Sequence, residues 1–113
     1  MFNPERREHK RLDLLAQMET SLGKYYTMNI SPGGACVIGP PDIKEKLHLN
    51  ETIEFDIRIR SDLLLSMEAF VHCRGDVIWI GNPSPYLTKV GLRFHEVPVV
   101  DWDTLYANLP ITH

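Results

Sequence analysis

The segment Thr52-Ile53-Glu54-Phe55-Asp56-Ile57-Arg58-Ile59-Arg60 alternates without interruption. Ile53, Phe55, Ile57 and Ile59 fall on one side, and Glu54, Asp56, Arg58 and Arg60 on the other. Successive side chains of a strand leave by opposite faces, so this is a strand with one dry face and one wet face. The pattern spreads in both directions. Leu65, Met67, Ala69, Val71 and Cys73 continue it, with Glu68, His72 and Arg74 opposite. After Gly75-Asp76, Val77-Ile78-Trp79-Ile80 is apolar on both faces and reads as the same strand bent at a bulge. Gly81-Asn82-Pro83-Ser84-Pro85 reads as a turn, and Val90, Leu92 and Phe94 then alternate with Lys89, Gly91, Arg93 and His95.

Upstream the elements are shorter. Leu12, Leu14, Ala16 and Met18 alternate, as do Tyr26, Met28 and Ile30, with Gly23-Lys24 expected as the hairpin turn between them. Ala35–Ile38 is a brief strand ended by Gly39-Pro40-Pro41, and residues 42–51 read as a connecting loop. At the far end the period changes. Trp102, Leu105, Tyr106 and Leu109 lie on one helical face, with Asp101 as N-cap and Pro110 as stop. About six strands and one amphipathic helix predict an all-β fold, a small antiparallel barrel with a C-terminal α-helix docked on it. The expected division of a single domain, 1–113, is an arm at 1–11, a barrel at 12–96 and a helix at 99–109.

Composition narrows the function. The chain has 113 residues, 43% hydrophobic and 24% charged, ordinary for one globular domain and enough for one modest core. Its net charge is −3, which disfavours a general coat for DNA or RNA. Residues 1–13 nevertheless carry Arg6, Arg7, Lys10 and Arg11 against Glu5, Glu8 and Asp13, while the remaining hundred residues are net acidic. A small cationic head on an acidic body suits one compact anionic ligand. The N-terminus lacks the apolar core of a signal peptide and nothing approaches a membrane span, so the expectation is a cytoplasmic protein without membrane contact. Cys36 and Cys73 are far apart and read as two buried reduced thiols.

Chemical signatures of catalysis are missing. The five histidines have no metal-ligand spacing, Ser31 is not in a GxSxG elbow, and Gly33-Gly34 lacks the rest of a phosphate-binding loop. No catalytic residue, metal or cofactor is therefore expected. Two segments carry binding chemistry instead. In Arg6-Arg7-Glu8-His9-Lys10-Arg11, guanidiniums offer planar forks that pair with phosphate, stack on a base and fit the O6/N7 edge of guanine. In Asn29-Ile30-Ser31-Pro32-Gly33-Gly34, Asn29 and Ser31 share a strand face, expected to be the outer one if Tyr26, Met28 and Ile30 claim the interior. Gly33-Gly34 allows a turn and close approach of a ligand.

Arg7-x-x-x-Arg11 followed by Asn29-x-Ser31-x-x-Gly34 resembles the RxxxR and [D/N]xSxxG motifs of the PilZ domain family. The resemblance covers nearly the whole chain. Ala35–Ile38 looks like the strand after the Gly-Gly turn, Val77-Ile78-Trp79 like the late hydrophobic strand and Val90-Gly91-Leu92-Arg93-Phe94 like the closing one. Pro32 departs slightly, at a variable motif position. The resemblance implies a six-stranded antiparallel barrel with a C-terminal helix, and a receptor for cyclic di-GMP, a bacterial second messenger. Arg7 and Arg11 would clamp phosphates and guanine edges, Asn29 and Ser31 would bond a guanine, and Gly33 and Gly34 would admit it. Arg6, preceding RxxxR, implies two intercalated cyclic di-GMP molecules per chain. Output would pass to an unidentified effector protein through ordering of the arm. The alternative is a PilZ-like interaction module that binds no nucleotide. A single-strand nucleic-acid binder is disfavoured by Glu54, Asp56 and Glu68 on its candidate strands.

Overall fold

A computed structural model describes residues 10–59 and 69–111. In chain order the elements are β1 (Leu12–Asp13), β2 (Gln17–Thr20), β3 (Gly23–Ser31), β4 (Gly34–Gly39), α1 (Ile43–Lys46), β5 (Thr52–Ile59), β6 (Ala69–Ser84), β7 (Leu87–Phe94) and α2 (Trp102–Asn108). Every pairing is antiparallel. The order β3-β2-β5-β6-β7-β4 closes on itself because β3 also pairs with β4, giving a six-stranded barrel with β1 as an extra strand beside β3. Closure leaves few free sheet edges, which a domain with this little core needs.

The alternation in β5 is realised residue for residue: Ile53, Phe55, Ile57 and Ile59 are buried inside the barrel. Val90, Leu92 and Phe94 of β7 join them, with the Phe55 and Phe94 rings 5.9 Å apart. The predicted bulge in β6 is present, between Val77 and Trp79, so Val77 points inward and Trp79 outward. Leu65, Met67 and Glu68, read as the start of that strand, lie outside the described residues. Both thiols are buried and free, as expected.

Four expectations are corrected. Tyr26 and Met28 are exposed, whereas Tyr25 and Thr27 are buried. A bulge between Thr27 and Asn29 shifts the phase of β3 at Met28, so that Ile30, but not Met28, faces the core. Residues 42–51 are not merely a loop: α1 sinks Ile43, and Leu47 at its C-cap, into the core. The first hairpin turns at Ser21-Leu22, before Gly23, whose φ of 142° an L side chain rarely adopts. β6 runs on to Ser84 and turns only at Pro85-Tyr86, with an irregular register after Gly81.

Leu12, Leu14, Ala16 and Met18 are all buried, as one alternating strand requires, yet the chain is interrupted between β1 and β2. Thr27 bridges the break. Its hydroxyl donates to the Leu14 carbonyl at 2.6 Å and accepts from the Ala16 N–H at 2.9 Å, and its side chain is fully buried. At the other end of the chain α2 is capped as read, with the Asp101 carboxylate accepting from Thr104 N–H at 3.1 Å. Leu105 is buried on the barrel and Trp102 and Tyr106 are half-buried against it. Among the described residues no helix is long and apolar enough to cross a membrane.

Thr27→Val keeps the shape but strands a buried carbonyl and a buried N–H at the break. Urea unfolding should show a loss of ~1–3 kcal/mol, because buried backbone groups without partners cost that much. An unchanged midpoint would mean that the break is held by other contacts.

Candidate functional site

The bulge at Met28 decides where the sequence motif points. Past it, Asn29 pairs with Cys36 and Ser31 with Gly34, while Ile30 pairs with Ala35 in the core. Asn29 and Ser31 therefore do lie on the outer face, though for a different reason from the interior claim of Tyr26 and Met28. Two rows of residues cross this outer wall. One runs Asp13, Asn29, Cys36, Gly91, Trp79 over β1, β3, β4, β7 and β6; the other runs Ser31, Gly34, Arg93, Asp76 over β3, β4, β7 and β6.

The floor of the wall is small. Gly34 is obligatory there, since a Cβ would overlap the Leu92 carbonyl oxygen. The close approach it permits is thus first that of β7. Gly33 is different, exposed and with nothing nearer to a built Cβ than the Ser31 hydroxyl at 4.0 Å. Gly91 is covered by the Trp79 indole, which occupies the space a Cβ would need. Trp79 is 38% exposed and presents an aromatic surface beside that floor. Sequence reading placed Trp79 only in an apolar strand; the bulge that aims it outward gave no signal of its role.

Polar groups on the wall are unequally satisfied. The Ser31 hydroxyl accepts from Gly33 N–H at 3.2 Å and donates to the Gly34 carbonyl at 3.5 Å, closing the turn. Asn29 Oδ1 is buried and has no hydrogen-bond partner among the described residues. Such an orphan acceptor costs free energy until a donor reaches it. Burial pushes the Cys36 thiol up, while the positive charges of Lys89 and Arg11 act the other way, which puts both cations within electrostatic reach of this face. Burial likewise pushes Cys73 up to about 12, so neither thiol is an activated nucleophile. Arg6 and Arg7 lie outside the described residues. Asn29, Ser31, Gly33 and Gly34 are brought to the one wall, and Arg11 lies within electrostatic reach of it.

The root of the arm is tied to the end of the chain. Tyr106 Oη donates to the Lys10 carbonyl at 2.6 Å, Asp13 N–H donates to the Pro110 carbonyl at 2.8 Å, and Leu12 bridges to Ile111.

The opposite wall, β2-β5-β6, has contrary electrostatics. Glu19, Asp56 and His72 follow one another across it, and His72 lies between Asp56 at 2.9 Å and Glu54 at 3.0 Å. A cleft of about 280 Å³ lined by Glu54, His72, Arg74 and the 96–99 segment opens here. Glu19, Glu54 and Asp56 outnumber Arg58 and Arg74 on this wall, which disfavours an anion there. No metal-holding group of His, Cys, Asp or Glu occurs among the described residues.

Comparisons with known proteins agree with this architecture. The family model described as PilZ domain matches residues 5–109. A solved structure described as Bacillus subtilis inhibitor of motility (MotI/DgrA) superposes with a TM-score of 0.68 at 20% identity. It covers 95% of this chain and 54% of its own, so the chain spans about half the length of that protein. No curated protein matches.

Two outcomes follow from the wall geometry. Gly34→Ala should cost at least ~2 kcal/mol in thermal or urea unfolding, through overpacking against β7, whereas Gly33→Ala should be near neutral. The Asp56 and Glu54 hydrogen bonds raise the His72 pKa. Its contribution to stability is therefore present below the ordinary value of about 6.5 and fades as pH rises through the higher folded value. NMR titration should place the His72 imidazole above an unstructured histidine, and Asp56→Asn should bring it down.

Proposed function

The chain belongs to the PilZ domain family, and on that premise we propose that it is a non-catalytic receptor for cyclic di-GMP. The observation that carries this reading is Asn29: a buried acceptor without a partner among the described residues, on a wall of small residues beside an exposed indole. Guanine offers N1–H and N2–H₂ on one edge, the donors that Oδ1 lacks. Its ring is flat enough to lie over Cys36 and to meet the exposed face of the Trp79 indole that covers Gly91. Ser31 keeps a lone pair for the same base or its sugar. Arg7 and Arg11, in RxxxR spacing, supply charge-assisted forks for the phosphates and guanine edges. Gly33 lets the ligand close on the turn. Arg6 stacks on an outer guanine of a second, intercalated molecule and pairs with its phosphate, so two ligands bind per chain.

Binding orders the arm on the barrel, and because the arm's root is bonded to α2 the signal reaches a surface that a partner protein can read. The likeness to an inhibitor of motility supports a regulatory output over a catalytic one.

Calorimetric titration with cyclic di-GMP tests the reading directly. Binding should saturate at two ligands per chain, weaken with added salt, and quench Trp79 fluorescence. Arg7→Ala or Arg11→Ala should cost ~2–4 kcal/mol of binding with little change in melting temperature. Asn29→Ala should weaken cyclic di-GMP more than inorganic diphosphate. Cyclic di-AMP, whose base has an acceptor at N1, should bind poorly. Arg6→Leu should bring the stoichiometry towards one. A wild-type protein that gave no heat and no quenching would instead be an interaction module that binds no nucleotide.

A further inference from the structure

The second row of the outer wall continues past the motif residues. Ser31, Gly34, Arg93, Asp76 and Thr52 stand in register on β3, β4, β7, β6 and β5. Asp76 is already well satisfied. Its Oδ1 accepts from Thr52 Oγ1 at 2.7 Å and pairs with His95 Nε2 at 2.7 Å, and these bonds hold its carboxyl below the usual range. Arg93 is the loose member. Its Nη2 is 4.0 Å from Asp76 Oδ2 and its side chain is 68% exposed. An exposed pair at that separation contributes at most ~1 kcal/mol. The guanidinium therefore leaves it at little cost.

Between Ser31 and Arg93 there is only Gly34, which has no side chain and, because of the Leu92 carbonyl, cannot carry one. Two strand spacings, ~10 Å, thus separate the Ser31 position from the Arg93 stem with no side chain rising between them. That gap has the dimensions of a nucleotide lying across β4.

We propose that Arg93 is a ligand-binding residue of this wall. It turns from Asp76 onto a phosphate of the dinucleotide seated on Ser31 and Gly34, and Asp76 is the counter-charge that holds it back when the ligand is absent. The inference rests on the nucleotide-receptor reading above. It adds a cation from the barrel itself, on β7, across β4 from the motif strand. Its strand, paired on both edges, holds this cation in register with Gly34 and Asp76.

Titrations of cyclic di-GMP into wild type, Arg93→Ala, Asp76→Asn and the double variant, each at low and high salt, test it. Arg93→Ala should bind about tenfold more weakly, the loss of one charge-assisted contact, with a shallower salt dependence and an unchanged melting temperature. Arg93→Lys should recover part of the loss. Asp76→Asn should tighten binding severalfold when Arg93 is present and hardly at all in the Arg93→Ala background. Equal tightening in both backgrounds would reduce Asp76 to long-range repulsion and overturn its counter-charge role. If Arg93→Ala bound like wild type while Ser31→Ala still weakened binding, Arg93 would be a solvated surface residue and the receptor reading would stand. Absence of binding to the wild type would remove both.

Discussion

The hydroxyl of Thr27 is the joint on which the site depends. One side chain satisfies both backbone groups left over where β1 and β2 part, and does so with no exposure to water. The break lets the first strand leave the barrel sheet after Leu14 and re-enter at Gln17 without a buried polar group going unpaired. Directly after Thr27, the Met28 bulge turns the phase of β3. Below the bulge the inward residues are Tyr25 and Thr27; above it, Ile30. Without that turn, Asn29 and Ser31 would point into the barrel core, where no ligand reaches, and Ile30 would face water. A local irregularity thus converts a core strand into a strand that shows two polar side chains on a wall.

The wall is matched by an asymmetry of charge. On β3-β4-β7 and its border stand Arg11, Lys89 and Arg93, with Asp13 beside Asn29 and Asp76 bonded to Thr52 and His95. On β2-β5-β6 stand Glu19, Glu54 and Asp56 against Arg58 and Arg74, with His72 held between two carboxylates. The net charge of −3 conceals this division. For an approaching dianion the acidic side repels and the cationic side attracts, and both effects fade beyond about 10 Å at moderate salt. Charge placement therefore argues for which face is used more than for how tightly it is used, since the contacts set the affinity.

Much of this was legible in residue order and some was not. Period-two alternation in Thr52–Ile59 and in β7 translated directly into burial, because both strands pack one face on one core. The Asp101 cap and the helical face of Leu105 were equally plain. Tyr26 and Met28 misled for a physical reason. A bulge adds one residue to one strand only, and nothing in Thr27-Met28-Asn29 marks it locally; it arises from pairing with β4. The short α1 was hidden because Ile43 and Leu47 are its only deeply buried contacts, too few for a period. Trp79 belongs to the same class. Its position over Gly91 is a product of two strands and one bulge, and neither strand shows it alone. Arg6 and Arg7, which the motif makes prominent, lie outside the described residues.

On the receptor reading proposed above, the three contacts between the arm's root and the chain end give the wall a means of reporting its occupancy. Lys10 is held through its carbonyl by Tyr106, Asp13 through its N–H by Pro110, and Leu12 by Ile111. These contacts act on the backbone, so they sense where the chain runs and not which side chains it carries. Arg11 sits between two of the tethered residues, and a ligand gripping it pulls on both. A ligand shifts an equilibrium only by the difference between its affinities for the two states. If the tethered arrangement already places Arg11 correctly, the binding proposed above leaves α2 where it is. On the receptor reading proposed above, the six-stranded core serves as the frame, and the route to the chain end runs from residues 10–13 to Tyr106, Pro110 and Ile111, which they touch.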